Sequence, residues 1–260
     1  RPGVDQIAQG LGGLMSITGL PGQGPVRVGI PVADLTSGLY CAIGILVALL
    51  EREVTGQGQW VQASLLQAQI SMLDFQAARW LMKGEVPGQA GNNHPTSIPT
   101  GVFPTSDGHI NIAAAGDKIF ERFCEAMGEP GLAADADYNN DKVRSENRDA
   151  LNTRIGEITA TRSSADWVAA LNDAGVPCGP INNIQQVFED PQVQHLGMAA
   201  PVHHPELGDI NVVGQGVKLG DTPFTVRTAT PEQGEHSDQI LRDCGYDEAA
   251  IAALRQNGTI

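Results

Sequence analysis

The stretch PVADLTSGLYCAIGILVALLERE, Pro31 to Glu53, decides how the rest of the chain is read. From Leu39 to Leu50 it carries no charge, and it predicts a long helix from about Asp34 to Val54, with Gly56 placed as its C-cap. The apolar run alone is too short to cross a bilayer. Asp34 stands immediately ahead of that run, and two readings compete for it. As a cap, its carboxylate accepts the N–H of Thr36 or Ser37, the commoner role for an Asp before an apolar helix. As a reactive group, it is kept ionised by the helix N-terminus, whose free N–H groups can stabilise a developing oxyanion. Position 37 is Ser rather than Glu or Gln, so a capping box is absent. Gly38 and Ala42 leave one helical face bare for a close approach. The residues alone leave the choice open, with capping the commoner.

Outward from this helix, residues 5–17 show helical spacing weakened by three glycines, and PGQGPVRVG reads as a loop. QWVQASLL, Gln59–Leu66, alternates as a strand does, and the following residues have helical period to about Lys83. Helix, helix, strand, helix reads as part of an α/β layer. The Pro/Gly/Asn-rich segment GEVPGQAGNNHPTSIPTG then marks a change of architecture. GVFPTSDGHINIAAAG predicts a hairpin turning at Asp107-Gly108. Helices follow at DKIFERFCEAMG, NRDALNTRIGEITAT and SADWVAALNDAG. GVPCGPINN reads as a loop, before a helix and a second helix broken at Pro191. Short strands at APVHH and DINVVGQGVKL lead to two terminal helices.

The 260 residues suffice for one large domain or two small ones. A net charge of −14 argues against a general nucleic-acid binder or a binder of anionic membranes, although a local basic site can still serve an anionic substrate. The four cysteines are widely spaced without a C-x-x-C, which predicts reduced, buried thiols in a cytoplasmic setting. His203-His204 lacks further ligands at metal spacing and reads as a solvated loop, so no metal is expected. His94 and His236 are the more interesting histidines, though either could simply bond a backbone group. GQGPVRVG and TGQGQ match neither GxGxxG nor a P-loop, and there is no G-x-S-x-G elbow.

Four ordered motifs carry a resemblance: PVADLTSGLYCAIGILVALLEREVTGQGQWVQASLL, GNNHPTSIPTGVFPTSDGHINIAA, AGVPCGPINNIQQVFEDPQVQHLGM and GEHSDQIL. Together they resemble the class III CoA-transferases, the CaiB/BaiF family, over essentially the whole chain, with the family's N-terminal segment missing. The resemblance implies an α/β fold: an incomplete Rossmann-like large domain, a small α+β domain and an interlocked homodimer. It divides the chain into 1–85, part of the large domain with the catalytic aspartate; 86–95, a linker; 96–190, the small domain; and 191–260, a return linker and helices packing on the large domain. It makes Asp34 the nucleophile of CoA transfer from an acyl-CoA to a free carboxylic acid, through aspartyl anhydride and aspartyl-CoA thioester intermediates. Coenzyme A and acyl-CoA are then substrates, with no tightly bound cofactor, no nucleic acid and no membrane partner.

An α-methylacyl-CoA racemase of this family pairs its aspartate with a histidine in G-H-D. Here Gly3-Val4-Asp5 puts Val4 at the histidine position, which favours transfer over a racemase using Asp34 as base. In place of the glycine-rich lid of formyl-CoA transferases stands Gly91-Asn92-Asn93-His94-Pro95. Gly91, Asn92, Asn93 and His94 are therefore expected to bind substrate, and the change turns away from oxalate. GVPCGPINN and DPQVQHLGM look most like the branch using succinyl-CoA with glutarate or related dicarboxylates. A third alternative is a catalytically incomplete piece of an oligomer.

Overall fold

The computed structural model describes residues 3–260 and divides into two compact units, one ending at Ile181 and one spanning 182–260. The first unit opens with α1 (Asp5–Leu11), α2 (Leu14–Ile17), α3 (Val32–Thr55), α4 (Leu65–Ser71) and α5 (Phe75–Lys83). The helix α3 ends where Gly56 enters the left-handed region at φ 72°, its N–H returning to Arg52 O. Over 18 of its 24 residues α3 reaches a mean hydropathy of 1.9, so by length and composition alone it could cross a membrane, a test that the core helix of a soluble protein also passes. Its charge-free stretch extends into a helix longer than the run itself. In this unit α3 packs against α1 and α4.

The strand expected at Gln59–Leu66 is not formed: residues 57–64 are irregular, Ser64 caps α4, and residues 3–99 contain no strand. A strand needs a neighbour to pair its N–H and C=O groups, and alternation alone supplies none. Val61 instead leans on α3 at Gly44, where an added Cβ would meet Val61 Cγ1 at 2.8 Å. The close approach to α3 is therefore at Gly44, while Gly38 faces open space. The single helix expected to Lys83 is broken at Asp74, a non-glycine residue at φ 49°.

Beyond residue 99 come β1 (Thr100–Pro104), β2 (His109–Ala113), α6 (Asp117–Met127), a 3-10 turn (Pro130–Ala134), α7 (Asp141–Glu146), α8 (Arg148–Thr159), α9 (Ser164–Asp173) and β3 (Cys178–Pro180). The hairpin turns where expected, with Thr105 N–H donating to Gly108 O at 2.9 Å. The loop reading of GVPCGPINN is corrected: Cys178–Pro180 pairs antiparallel with Ile110–Ile112 as a third, short strand. Pro177 just before it and Pro180 at its end lack N–H groups, which suits a sheet edge and conceals the strand in sequence. Alternation in β2 puts Ile110 and Ile112 inward, against Phe120, Phe123, Leu151, Ile155, Trp167 and Leu171 of the surrounding helices. Each such side chain contributes about 1.5–3 kcal/mol on full burial.

The second unit contains α10 (Ile184–Glu189), α11 (Pro191–Leu196), β4 (Ala199–His204), β5 (Gly208–Val213), α12 (Ser237–Asp243) and α13 (Glu248–Gln256). Pro191 does not break a helix but begins one, with Asp190 accepting the N–H groups of Gln192 and Val193. His203 and His204 lie on β4 rather than in a solvated loop. Strand alternation exposes His203, which faces Asp209, and buries His204, whose Nδ1 accepts the N–H groups of Glu206 and Leu207.

Candidate functional site

Asp34 lies in the first turn of α3, one residue inside the buried Ala33, and its own side chain is exposed. The helix is entered through Pro31, which has no side-chain acceptor. Asp34 does not supply one either: among the described residues its carboxylate accepts no hydrogen bond, and neither Thr36 nor Ser37 donates an N–H to it. The hydroxyls of Thr36 and Ser37 turn back instead, onto Val32 O at 2.5 Å and Asp34 O at 3.0 Å. The capping reading is thereby corrected: the carboxylate that takes a first-turn N–H of α3 is that of Asp5, not Asp34. Of the first-turn donors, Val32 N–H reaches Ile30 O and Ala33 N–H reaches the carboxylate of Asp5, while the N–H of Asp34 itself has no acceptor among the described residues.

Asp5 is the residue that the sequence did not flag. It is buried at the start of α1, with Oδ1 accepting from Ala33 N–H at 2.9 Å and Oδ2 accepting from Gln9 Nε2 at 2.8 Å. The fully buried Gln9 in turn accepts from Val28 N–H at 2.9 Å and donates to Ile30 O at 3.2 Å. The only sequence signal was Gly3-Val4-Asp5 itself; Val4 is exposed at the N-cap of α1.

Gly91, Asn92, Asn93 and His94 come together as a strap lining an open cleft of about 560 Å³, with Asn111 on β2 and Cys178 on β3 across from it. Asp34 does not line this cleft. The strap is tied down at both ends. Gln89 Nε2 donates to Thr18 O and Gly24 O at 2.7 and 2.6 Å, and Gly91 N–H donates to Gly19 O at 3.1 Å. Gly91 adopts φ 61°, and Asn93 Oδ1 accepts from Asn152 Nδ2 at 3.0 Å. The His94 ring stacks on Phe75 at 5.6 Å, and its Nδ1 accepts the N–H groups of Ser97 and Thr96 at 3.0 and 3.2 Å. Those bonds assign Nδ1 as acceptor and leave Nε2 as the donor of the neutral ring. Among the described residues His236 makes no such side-chain bond at the start of α12.

All four cysteines are free thiols, but only Cys124 is fully buried; Cys41 and Cys178 are half-buried and Cys244 is exposed, which corrects the expectation of uniform burial. Burial pushes Cys178 up to about 11, so the thiol at the cleft is neutral and a poor nucleophile near pH 7.

The sequence profile of CoA-transferase family III matches residues 1–237. The human succinyl-CoA:glutarate CoA-transferase is 32% identical over 261 residues, covering 100% of this chain and 60% of that protein. The succinyl-CoA:mesaconate CoA-transferase of Haloarcula marismortui is 36% identical over 248 residues, covering 95% of this chain and 62% of its own. A crystal structure of a CaiB/BaiF family protein from Brucella suis superposes with a TM-score of 0.78 at 32% identity, covering 94% of this chain and 63% of that one. The chain thus spans about 60% of the length of these relatives. With a profile match along nearly its whole length and a mixed α/β fold shared with a solved member, the chain belongs to CoA-transferase family III.

Proposed function

We propose that the complete protein moves coenzyme A from an acyl-CoA to a free carboxylate, with Asp34 as nucleophile. The observation that carries this reading is the exposed Asp34 carboxylate, at the positive end of a 24-residue helix and accepting no hydrogen bond from it. Asp34 Oδ attacks the thioester carbonyl, the C–S bond breaks, and CoA leaves as thiolate from a mixed anhydride. The thiolate then attacks the aspartyl carbonyl, giving an aspartyl-CoA thioester and releasing the donor acid as carboxylate. The acceptor carboxylate attacks that thioester and again expels the thiolate, which takes the acceptor's acyl group and regenerates Asp34. Each step exchanges one acyl bond for another, so no external reductant or oxidant enters. The free N–H of Asp34 is a donor near the carbonyl oxygens that become negative.

The dicarboxylate relatives suggest succinyl-CoA as donor and a short dicarboxylate as acceptor. The Gly91–His94 strap is proposed as a substrate-binding element, with His94 Nε2–H a donor suited to a carboxylate. We further assign a Rossmann-like large domain completed by chain outside this sequence, a small domain at 96–190 and an interlocked homodimer. The apolar side chains exposed along α3, such as Leu46 and Leu50, are consistent with cover from such chain. The test is Asp34→Asn and Asp34→Ala in the full-length protein, with transfer assayed and Asp34 trapped by hydroxylamine in the presence of acyl-CoA. Both variants are expected to fold and to lose turnover and the Asp34 adduct. Full transfer by folded Asp34→Asn, with deamidation excluded by intact mass, would falsify the assignment.

A further inference from the structure

The geometry points to Asp5 as a positioning residue that caps the nucleophile helix from a separate element, a reading that rests on Asp34 being the nucleophile. An α-helix leaves its first N–H groups without partners, and a side chain at the entry normally supplies an acceptor. Here the entry residue is Pro31, which cannot. A buried carboxylate from α1, 28 residues earlier, takes the N–H of Ala33 at 2.9 Å instead. Ala33 is 0% exposed and directly precedes Asp34, so fixing its peptide plane fixes the direction in which the Asp34 side chain emerges.

The supporting contacts fit this role. Gln9 holds Asp5 Oδ2 at 2.8 Å while gripping Val28 N–H and Ile30 O, so the approach to Pro31 and the first turn of α3 are set by one network. Arg27 Nη2 lies 4.0 Å from the same Oδ2. Because the acceptor arrives from outside, Asp34 is relieved of the capping role and its carboxylate stays free. Without Asp5, the nearest carboxylate in the first turn is Asp34 itself, and the unpartnered Ala33 N–H would compete for it.

Full-length protein carrying Asp5→Ala, Asp5→Asn, Gln9→Leu or Asp34→Asn tests this by steady-state transfer kinetics and thermal melting. Asp5→Ala is expected to lower kcat by about tenfold or more with KM for acyl-CoA little changed, as displacement of a reacting group does. Asp5→Asn keeps an oxygen that can accept from Ala33, although its Nδ2 then faces the Gln9 Nε2 donor, and it is expected to restore part of kcat relative to Asp5→Ala, which a lost charge alone would not allow. Parental kcat in a folded Asp5→Ala variant, or equal losses in Asp5→Ala and Asp5→Asn, overturns the inference. Should Asp5→Ala fail to fold, Gln9→Leu decides: a drop in kcat of about threefold or more at unchanged KM supports it, and parental kcat overturns it. An inactive Asp34→Asn beside a fully active Asp5→Ala sinks only the Asp5 inference. An active Asp34→Asn sinks the nucleophile reading, whatever Asp5 does.

Discussion

The guanidinium of Arg144 lies 4.6 Å over the ring of Phe120, inside the core that carries the β1–β3 sheet. From there it donates to Ile98 O at 3.1 Å, Tyr138 O at 3.0 Å and Ala115 O at 2.8 Å, and pairs with Asp117 and Asp141. One side chain so satisfies three backbone carbonyls from three segments, including the one that leads into β1.

Arg144→Met should therefore destabilise strongly although it conserves apolar bulk. The carbonyls left without donors cost about 1–3 kcal/mol each when they remain buried. Urea unfolding is expected to show a loss of about 3 kcal/mol or more. Arg144→Lys should recover little of it, because a point ammonium cannot span the same fork. A change within about 0.5 kcal/mol for Arg144→Met would contradict the role.

Gly10 inside α1 and Gly12 at its C-cap make opposite predictions. A Cβ at Gly12 would sit 2.4 Å from Gln69 Cγ and 2.9 Å from the backbone oxygen of Ala8, so Gly12→Ala should cost about 1–3 kcal/mol. At Gly10 the nearest atom is Met15 Sδ at 3.6 Å, an ordinary contact. Gly10→Ala should be neutral or stabilise by up to about 1 kcal/mol through lost backbone freedom in the unfolded chain. Paired thermal melts read the contrast.

The thiols should separate by reactivity. At pH 8, iodoacetamide should label exposed Cys244 first and leave Cys124 unmodified, because burial pushes that thiol up to about 12. Raised folded-state values mean that the neutral thiols at Cys124 and Cys178 contribute stability below their ordinary 9.0, and that it drains away as pH rises towards about 11 and 12. Peptide mapping after timed alkylation, and a stability series from pH 8 upward, check both statements. Early labelling of Cys124 in folded protein counts against the burial argument.

Asp107 reports on the hairpin. Its Oδ1 accepts from Ser164 N–H at 2.8 Å, Ser164 Oγ at 2.9 Å and Thr105 Oγ1 at 3.0 Å, and these bonds, the backbone one first, hold its carboxyl below the ordinary 3.8. A depressed value gives stability that is present above 3.8 and lost as pH falls through the folded-state value. Asp107→Asn should make acid unfolding shallower below about pH 4 while keeping an acceptor for Ser164 N–H. Identical acid profiles for the two proteins would rule out this contribution.

Local chemistry was legible in the sequence; partnership was not. The charge-free run gave α3 and Gly56 gave its end, because helix propensity and a left-handed cap are properties of neighbouring residues. Asp107-Gly108 gave the hairpin turn for the same reason. Gln59–Leu66 failed because alternation describes a strand's faces and not whether a second strand lies beside it. Cys178–Pro180 failed in reverse: a three-residue strand is defined by its register with Ile110–Ile112 and has no pattern of its own. The strap residues Gly91–His94 were found together at one cleft, whereas Asp34 stands outside its lining. Asp5 escaped because nothing near it in sequence records a bond to Ala33.

That bond also joins the readiness of the site to the stability of a very short element. The helix α1 has seven residues, too few to persist without tertiary support, and it is held by packing on α3 and α4. Each time α1 frays or lifts away, Ala33 loses its acceptor, so the fraction of molecules with an ordered first turn at Asp34 cannot exceed the fraction with α1 docked. If Asp34 is the nucleophile proposed above, heat or a mild denaturant that opens α1 first would silence transfer well before the β1–β3 core melts, and activity would be lost at a lower temperature than fold.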